Sequence, residues 1–298
     1  MRKRALIVQQ ISTARRIQPF SVESWRECGS NDIKPPMGFL ARWRIHKKVA
    51  TNGRVEVSEK DGVRRMHFGT ETVQSAMRVD DPFGLEVGYT RSMMAFLLFH
   101  PEPKQLLMVG LGGGSTAKWV YRNLPASRTR VVELNPEVIQ IAHSYFHVPT
   151  DDERLRVILG DGSDYVQRHA QTYDAILVDG YDEFSLAAAL STPMFYANCR
   201  AALKPQGVLV VNLWGSDPRF LEFVEMISKQ FDGLTLSLPA EQRGNIIVFA
   251  FERSLNMPKW EDLRDKARRL EAQYGLEFVR FVEGLRKLNL HNDKRLLV

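Results

Sequence analysis

Groups of glycine and acidic residues follow apolar runs of this sequence, and their spacing is typical of a nucleotide-binding site. A glycine-rich turn, Gly110-Leu111-Gly112-Gly113-Gly114, comes directly after the apolar run Leu106–Val109. Glu133 lies 23 residues after Gly110, about where a carboxylate that binds ribose hydroxyls is expected. Two further acidic groups follow later in the chain, Gly160-Asp161-Gly162 and Asp179-Gly180-Tyr181-Asp182.

A strand, a glycine turn, a helix and a second strand must position these groups. This βαβ unit binds nucleotides because glycines let the backbone approach a ligand, and the following helix presents unpaired N–H groups. Ligands of open α/β sheets bind at the carboxyl ends of the strands, where all these groups should lie. A tight turn without a ligand is the alternative interpretation, but the four features together favour a site. We therefore predict an α/β fold with a Rossmann-like parallel sheet.

Composition is typical of a globular protein, and it restricts the other classes of function. The chain has 298 residues, of which 44% are hydrophobic and 26% charged. Its two cysteines, Cys28 and Cys199, lack metal-ligand spacing, and the pair His143/His147 lacks a third ligand. No apolar run is long enough to span a bilayer. The sequence thus predicts a cytoplasmic protein with reduced thiols, no bound metal and no membrane partner.

Positive charge is concentrated at the start of the chain. Residues 1–50 carry eleven Lys and Arg against three acidic residues, whereas the whole chain has a net charge of +6. A basic arm can meet nucleic acid or an acidic partner, but a solvated tail is the commoner case. We interpret residues 1–40 as a basic N-terminal arm and do not expect a nucleic-acid partner.

Periodicity divides the rest of the chain into three parts. Residues 41–85 contain alternating strands, with Asp61-Gly62 as a hairpin signal, and predict a small antiparallel β domain. Residues 86–255 alternate helical and strand patterns and should form the Rossmann-like nucleoside-binding domain. Residues 256–298 predict a C-terminal helical segment. Within the middle part we expect a helix over Tyr89–His100, a turn at Lys204–Gly207 and a helix with Pro218 at its first position.

The order of these motifs resembles the spermidine synthase family, the polyamine aminopropyltransferases. The resemblance covers about residues 55 to 251 and is specific as an ordered set. The motifs are GTETVQSAMRVDDPFGLEVGY, GLGGGS, VVELNPEVI, GDGSDYV, YDAILVDGYD and LKPQGVLVVN. It implies a methyltransferase-type Rossmann-like sheet with a small N-terminal β-sheet domain, usually as a homodimer.

The resemblance also implies an activity and the residues that carry it. The family transfers an aminopropyl group from decarboxylated S-adenosylmethionine to a small-molecule amine such as putrescine, without a metal. The cofactor-binding residues it implies are Gln74, Gly110, Gly112, Gly114, Glu133, Asp161 and Gly162. The catalytic residues it implies are Asp179 as the base, Asp182 as a second acid and Tyr89 beside the reacting centre.

Carboxylates suit this reaction because the attacking alkylamine is protonated near neutral pH. The amine must lose a proton before it attacks the carbon next to the sulfonium, and Asp179 could orient the ammonium and receive that proton. Asp182 could hold the cation, since a buried ammonium needs a counter-charge. Turn chemistry is the alternative explanation of Asp-Gly-Tyr-Asp.

Departures from the family pattern keep two other functions open. Gly113 stands where the family has the acid that anchors the aminopropyl ammonium, and Thr90-Arg91 replace a histidine and a glutamate. Without that acid, the carboxylate of intact S-adenosylmethionine would not be repelled, which favours a methyltransferase. A non-catalytic nucleoside-binding member of the family is the third function. A dinucleotide oxidoreductase fits the glycine turn less well.

Residues 1–35 hold most of the basic excess but none of the site motifs, so their deletion should leave nucleoside binding unchanged. Titration of the full and truncated chains with methylthioadenosine measures this. A truncated protein that stays folded but loses affinity would place the arm in the site.

Overall fold

The computed structural model describes residues 47–52, 55–68, 73–180, 187–240 and 244–298. The predicted basic arm lies outside these ranges, as does Asp182. Residues 45–298 form one compact unit. The helices in the described part of the chain are all too short or too polar to cross a membrane.

A small antiparallel sheet comes first in the described chain. Its four strands lie side by side in sequence order: β1 (Lys47–Asn52), β2 (Val55–Lys60), β3 (Val63–Phe68) and β4 (Val73–Arg78). Asp61 and Gly62 both have positive φ, 54° and 72°, which gives the β2–β3 hairpin the turn that its Asp-Gly sequence favours. Val57, Met66 and Met77 are fully buried and attach this sheet to the larger core.

A second sheet of seven strands forms the centre of the molecule. Its strands lie in the order β10-β11-β9-β8-β5-β6-β7, where β5 to β9 run parallel and the hairpin β10–β11 runs antiparallel to β9. The strands are β5 (Gln105–Val109), β6 (Arg128–Glu133), β7 (Leu155–Leu159), β8 (Tyr173–Val178), β9 (Leu203–Trp214), β10 (Thr235–Pro239) and β11 (Asn245–Phe251). This is the Rossmann-like sheet that the motif order predicts.

Helices cover both faces of this sheet. The helices are α1 (Gly88–Met93), α2 (Ser115–Asn123), α3 (Pro136–Phe146), α4 (Gly162–Gln167), α5 (Pro193–Ala202), α6 (Phe220–Gln230), α7 (Trp260–Tyr274) and α8 (Phe278–Leu288). Successive side chains of a strand point to opposite faces, so Ala175 and Leu177 enter one core and Ile176 and Val178 the other. The first core includes the small sheet, α1, α7 and α8; the second includes α5 and α6.

Register brings the carboxyl ends of the parallel strands to one edge. Val109 at the end of β5 pairs with Val132 of β6 and with Val178 of β8. Glu133 at the end of β6 pairs with Leu159 at the end of β7. The residues that follow these strands therefore meet at a single edge, which we name the carboxyl edge.

Three local predictions need correction. The helix expected over Tyr89–His100 is α1 followed by a tight 3-10 turn at Met94–Leu98, in which all five residues are buried. The turn expected at Lys204–Gly207 is a bulge inside β9, with Gln206 at φ 71°. Helix α6 begins at Phe220, two residues after Pro218, since the Asp217 carboxylate accepts a bond from the Arg219 N–H.

Asp174 joins the starts of three strands at the opposite edge of the sheet. It is 9% exposed and accepts hydrogen bonds from the backbone N–H groups of Lys104 (2.9 Å) and Gln105 (2.8 Å) and from the Lys204 ammonium (3.1 Å). Burial acts to raise the pKa of the Asp174 carboxyl, but these hydrogen bonds together hold that pKa below its ordinary value.

Asp174→Ala should lower the free energy of unfolding at pH 7 by about 1–3 kcal/mol, because two backbone donors and an ammonium lose their partner. The contribution is present above pH about 4, the ordinary aspartate pKa, and is lost as pH falls through the lower folded-state pKa. Urea unfolding of both proteins at several pH values checks this. A difference that stayed constant down to strong acid would contradict it.

Candidate active site

The glycine turn brings β5 against β8 at the carboxyl edge. Gly110, Gly112 and Gly114 all have positive φ, at 97°, 51° and 67°, a conformation that other residues adopt at a cost. A Cβ on Gly110 would lie 2.3 Å from the carbonyl oxygen of Asp179. Only glycine therefore allows the turn and Asp179 to lie this close together.

Gly113 docks the turn on the small sheet. Its N–H donates to the Ser75 hydroxyl (2.8 Å), and a Cβ at this position would lie 2.8 Å from the Phe146 ring and 3.0 Å from the Ser75 Cβ. The position is buried, so packing fills the place where the family has an acid. A side chain here would require the turn or the small sheet to move.

Two basic side chains connect the small sheet with the helices that flank the glycine turn. Lys118 on α2 is 0% exposed, and its ammonium donates to the carbonyl of Phe146 (2.5 Å) at the end of α3. Arg64 on β3 donates to the neighbouring carbonyl of Tyr145 (2.5 Å). These carbonyls end a helix and lack partners within it. Burial lowers the pKa of Lys118 to about 7, while Asp81 acts to raise it.

Glu133 lies at the end of β6, and its carboxylate binds the glycine turn. Oε2 accepts a hydrogen bond from the Leu111 N–H (2.8 Å) and Oε1 one from the Asn135 N–H (2.9 Å). A carboxylate has about four acceptor positions, so it retains capacity for hydroxyl donors. Leu134 (67% exposed) and Leu159 (58% exposed) follow β6 and end β7, leaving apolar surface at the same edge.

Asp161 and Gly162 begin helix α4 at this edge. The Asp161 carboxylate caps the helix by accepting bonds from the Ser163 N–H (2.7 Å) and the Asp164 N–H (3.3 Å). A Cβ on Gly162 would lie 2.4 Å from a Val109 methyl, so glycine is needed for α4 to start against β5. The structure thus brings both residues beside the glycine turn.

Asp179 follows β8 and makes two hydrogen bonds through its carboxylate. Oδ2 accepts a bond from the Tyr89 hydroxyl (3.0 Å), and Oδ1 accepts one from the Asn212 amide (2.8 Å). Burial raises the pKa of the Asp179 carboxyl above its ordinary value, while the bonds from Asn212 and Tyr89 act to lower it. Tyr89 and Asn212 are neutral groups, so the carboxylate has no counter-charge from them.

Asn212 and Asn245 are site residues that the sequence interpretation missed. Asn212 is 2% exposed, and its Oδ1 accepts a hydrogen bond from the Asn245 amide (3.0 Å). The signal was present in the sequence, because Asn212 is a polar residue that interrupts the apolar run Val208–Leu213 of a buried strand. Such a residue needs a hydrogen-bonding partner, and Asp179 supplies it.

Gln74, the last of the predicted cofactor-binding residues, lies on β4. The contact with the glycine turn is made by the next residue, Ser75. The position of Arg91 in the motif suggests a free positive charge beside Tyr89, but the structure shows that this charge is paired. Its guanidinium forms an ion pair with Glu277 (2.9 Å) and donates to the carbonyls of Leu85 and Glu86 (3.1 Å each).

Comparison with known proteins identifies the family of the chain. Residues 86–229 match the model of the spermine/spermidine synthase domain. The chain is 40% identical over 257 residues to a polyamine aminopropyltransferase of Chromobacterium violaceum, covering 86% of this chain and 98% of that relative. A polyamine aminopropyltransferase of Neisseria meningitidis is 39% identical over 241 residues, 80% of this chain and 92% of that relative.

Solved structures share the fold. A spermidine synthase from Thermotoga maritima has a TM-score of 0.64 at 21% identity, covering 84% of this chain and 87% of that chain. A spermidine synthase in complex with the transition state analogue AdoDATO has a TM-score of 0.63 at 23% identity (81% and 86%). Human methyltransferase-like protein 13 in complex with SAH has a TM-score of 0.54 at 23% identity (70% and 96%). These likenesses confirm the predicted methyltransferase-type Rossmann-like fold.

The match covers almost the whole length of these two relatives, and the domain model covers the glycine turn, Glu133, Asp161 and Asp179. On these grounds the chain belongs to the spermine/spermidine synthase family, in which its relatives are polyamine aminopropyltransferases.

Proposed function

We propose that this protein is an aminopropyltransferase that moves the aminopropyl group of decarboxylated S-adenosylmethionine to a polyamine such as putrescine. The observation that carries the proposal is the carboxylate of Asp179. It is enclosed at the carboxyl edge, bonded to neutral groups, and has a pKa above its ordinary value. A carboxylate in such surroundings favours a cationic partner, and the ammonium of an amine substrate is one.

The residues around the glycine turn suit binding of the nucleoside part of the donor. Glu133 is held between the Leu111 and Asn135 N–H groups, and its remaining acceptor capacity suits two ribose hydroxyls. Exposed Leu134 and Leu159 offer apolar surface to a planar base. Asp161 and Gly162 begin α4 close by, and Gln74 lies on the strand that contacts the turn.

The transfer itself needs a base and correct positioning. The ammonium of the acceptor gives a proton to Asp179, and the free amine nitrogen then attacks the aminopropyl carbon next to the sulfonium. A nitrogen–carbon bond forms as the carbon–sulfur bond breaks, and its electron pair leaves with sulfur as neutral methylthioadenosine. The raised pKa of Asp179 suits this role, because a base works best when its pKa approaches the operating pH. Tyr89 holds the carboxylate through Oδ2.

Methyl transfer from intact S-adenosylmethionine is the second candidate function. Gly113 removes an acid that would repel the carboxylate of the intact cofactor, and this observation favours it. The ion pair of Arg91 with Glu277 weakens the case for methyl transfer, because a neutralised Arg91 does not oppose the binding of a cationic amine. Titration of the protein with decarboxylated and intact S-adenosylmethionine separates the two, since the aminopropyltransferase should prefer the decarboxylated form.

A homodimer in the cytoplasm and a role for Asp182 in holding the acceptor are further parts of this proposal. The homodimer and the role of Asp182 rest on the family resemblance, and the cytoplasm rests on the two cysteines without metal-ligand spacing. Sedimentation of the purified protein tests the homodimer, and comparison of Asp182→Asn with the unchanged chain for the Michaelis constant of the acceptor tests the role of Asp182.

Glu133→Gln should weaken methylthioadenosine binding by about 1–3 kcal/mol, because it removes a charge-assisted acceptor from the ribose. Calorimetric titration measures the change, and thermal melting shows whether the glycine turn is still held. Glu137→Gln is the matched control, since Glu137 lies in the first turn of α3 and is not bonded to the glycine turn. Equal affinity for the Glu133 variant and the unchanged chain would remove Glu133 from the ribose site.

Asp179→Asn should lower kcat by about 10²–10⁴-fold while methylthioadenosine affinity stays unchanged, because the amide keeps the shape but accepts no proton. In the unchanged chain, activity should fall as pH drops through the pKa of Asp179, above the ordinary aspartate value of about 4. Product analysis with putrescine, cadaverine and longer polyamines measures both effects, and Asp164→Asn serves as control. Absence of product with every amine would contradict the proposed function; a fully active Asp179→Asn would show that another group is the base.

A further inference from the structure

Two asparagines lie behind the carboxylate of Asp179 in a continuous chain of hydrogen bonds. We propose that Asn212 and Asn245 are positioning residues for the transfer reaction, which hold the Asp179 carboxylate in one orientation and in its ionised form. This inference rests on the proposed function, because it gives a role in that reaction to residues one and two strands away from Asp179. We name the pair Asn212 and Asn245 the asparagine relay.

The sheet explains why these residues meet. Strands β8, β9 and β11 are neighbours, and Asp179, Asn212 and Asn245 stand at the carboxyl-edge end of each. Their strand neighbours two residues away, Leu177, Val210 and Ile247, all belong to the first core, so the three polar side chains share one face of the sheet. Tyr89, which packs against the same core, reaches Asp179 on this face.

The direction of the hydrogen bonds follows from the chemistry of the groups. The Asn245 amide nitrogen donates to Asn212 Oδ1, so the Asn212 amide nitrogen is turned toward Asp179 and donates to Oδ1. The opposite orientation of Asn212 would set its oxygen against the carboxylate oxygen, and two acceptors repel each other. Asn245 therefore acts together with the carboxylate to fix which end of Asn212 faces the base, although it does not touch the base.

The relay matters because the burial of Asp179 favours the protonated acid. Burial disfavours the charged carboxylate, and the groups described as bonding to it are the Asn212 amide, the Tyr89 hydroxyl and nothing cationic. Among the described residues, Tyr89 on α1 is the titratable group bonded to it; β9 contributes the amide, and the β5 turn approaches with the backbone of Gly110. Hydrogen bonds to the ionised form oppose burial, so loss of one donor shifts protonation toward higher pH.

Asn245→Asp tests the relay. The new carboxylate cannot donate and competes with Asp179 for the Asn212 nitrogen, so the hydrogen bond from Asn212 to Asp179 is weakened. The acid limb of the pH profile for kcat/KM should move up by about one pH unit or more, and kcat/KM at neutral pH should fall about tenfold or more. Asn212→Leu, which removes the donor but keeps the volume, should move the limb in the same direction. Methylthioadenosine affinity should not change in either variant.

Asn289→Asp is the matched control. Asn289 also joins two elements through its amide, donating to the carbonyls of Ser237 and Leu285, but it has no contact with Asp179. This variant should keep the pH profile of the unchanged chain. Asn245→Asp with an unmoved acid limb, or a control that moves it equally, would overturn the relay.

A measurement without turnover separates this inference from the proposed function. Titration of ¹³C-labelled aspartate carboxyls by NMR, with the Asp179 signal assigned from its absence in Asp179→Asn, gives the midpoint for Asp179 directly. The midpoint should rise in Asn212→Leu and Asn245→Asp and stay constant in Asn289→Asp. A protein that gives this result but no transfer product would refute the proposed function and its catalytic role for the relay; an unchanged midpoint in an active enzyme would refute the relay alone.

Discussion

The close contact between Gly110 and Asp179 is the constraint on which the site depends. The Asp179 N–H bonds to the Val109 carbonyl at 2.9 Å, and the missing side chain of Gly110 lets the two strand ends lie in contact. In the proposed function the glycine turn belongs to the nucleoside half of the site and Asp179 to the amine half. In a transfer reaction the two substrates must meet within bonding distance, so the separation of these halves is the quantity that the fold has to fix.

The small sheet supports the glycine turn. It contributes Ser75 to the glycine turn, and Arg64 and Met77 to the group around the end of α3. Lys118, buried in that group, joins the helix after the turn to the Phe146 carbonyl. A buried ammonium that donates to a helix end is stable only while its acceptors stay in place, so the small sheet, α2 and α3 form one support for the turn.

Two departures from the family motif have a structural explanation that differs from the one their charges suggest. Gly113 removes an acid, and Ser75 and Phe146 fill its place, so the turn packs closely on the small sheet. Arg91 adds a cation, but Glu277 neutralises it. The charge surrounding Asp179 is therefore decided by which side chains face it, and those described are a phenol and an amide.

The sequence by itself determined the fold class, the glycine turn and the positions of Glu133, Asp161 and Asp179, because each follows an apolar run or a glycine whose local chemistry is visible in a few residues. Only the tertiary structure decided the partners of these groups. Glu277 meets Arg91 across 186 positions, and Asn212 meets Asp179 across 33. Such contacts depend on strand order and on which face a side chain takes, and local periodicity does not contain strand order. For the same reason the sequence predicts a turn where the structure has the bulge at Lys204–Gly207. Its glycine and its positive φ are local features, whereas the pairing of β9 with β8 on both sides of it is not.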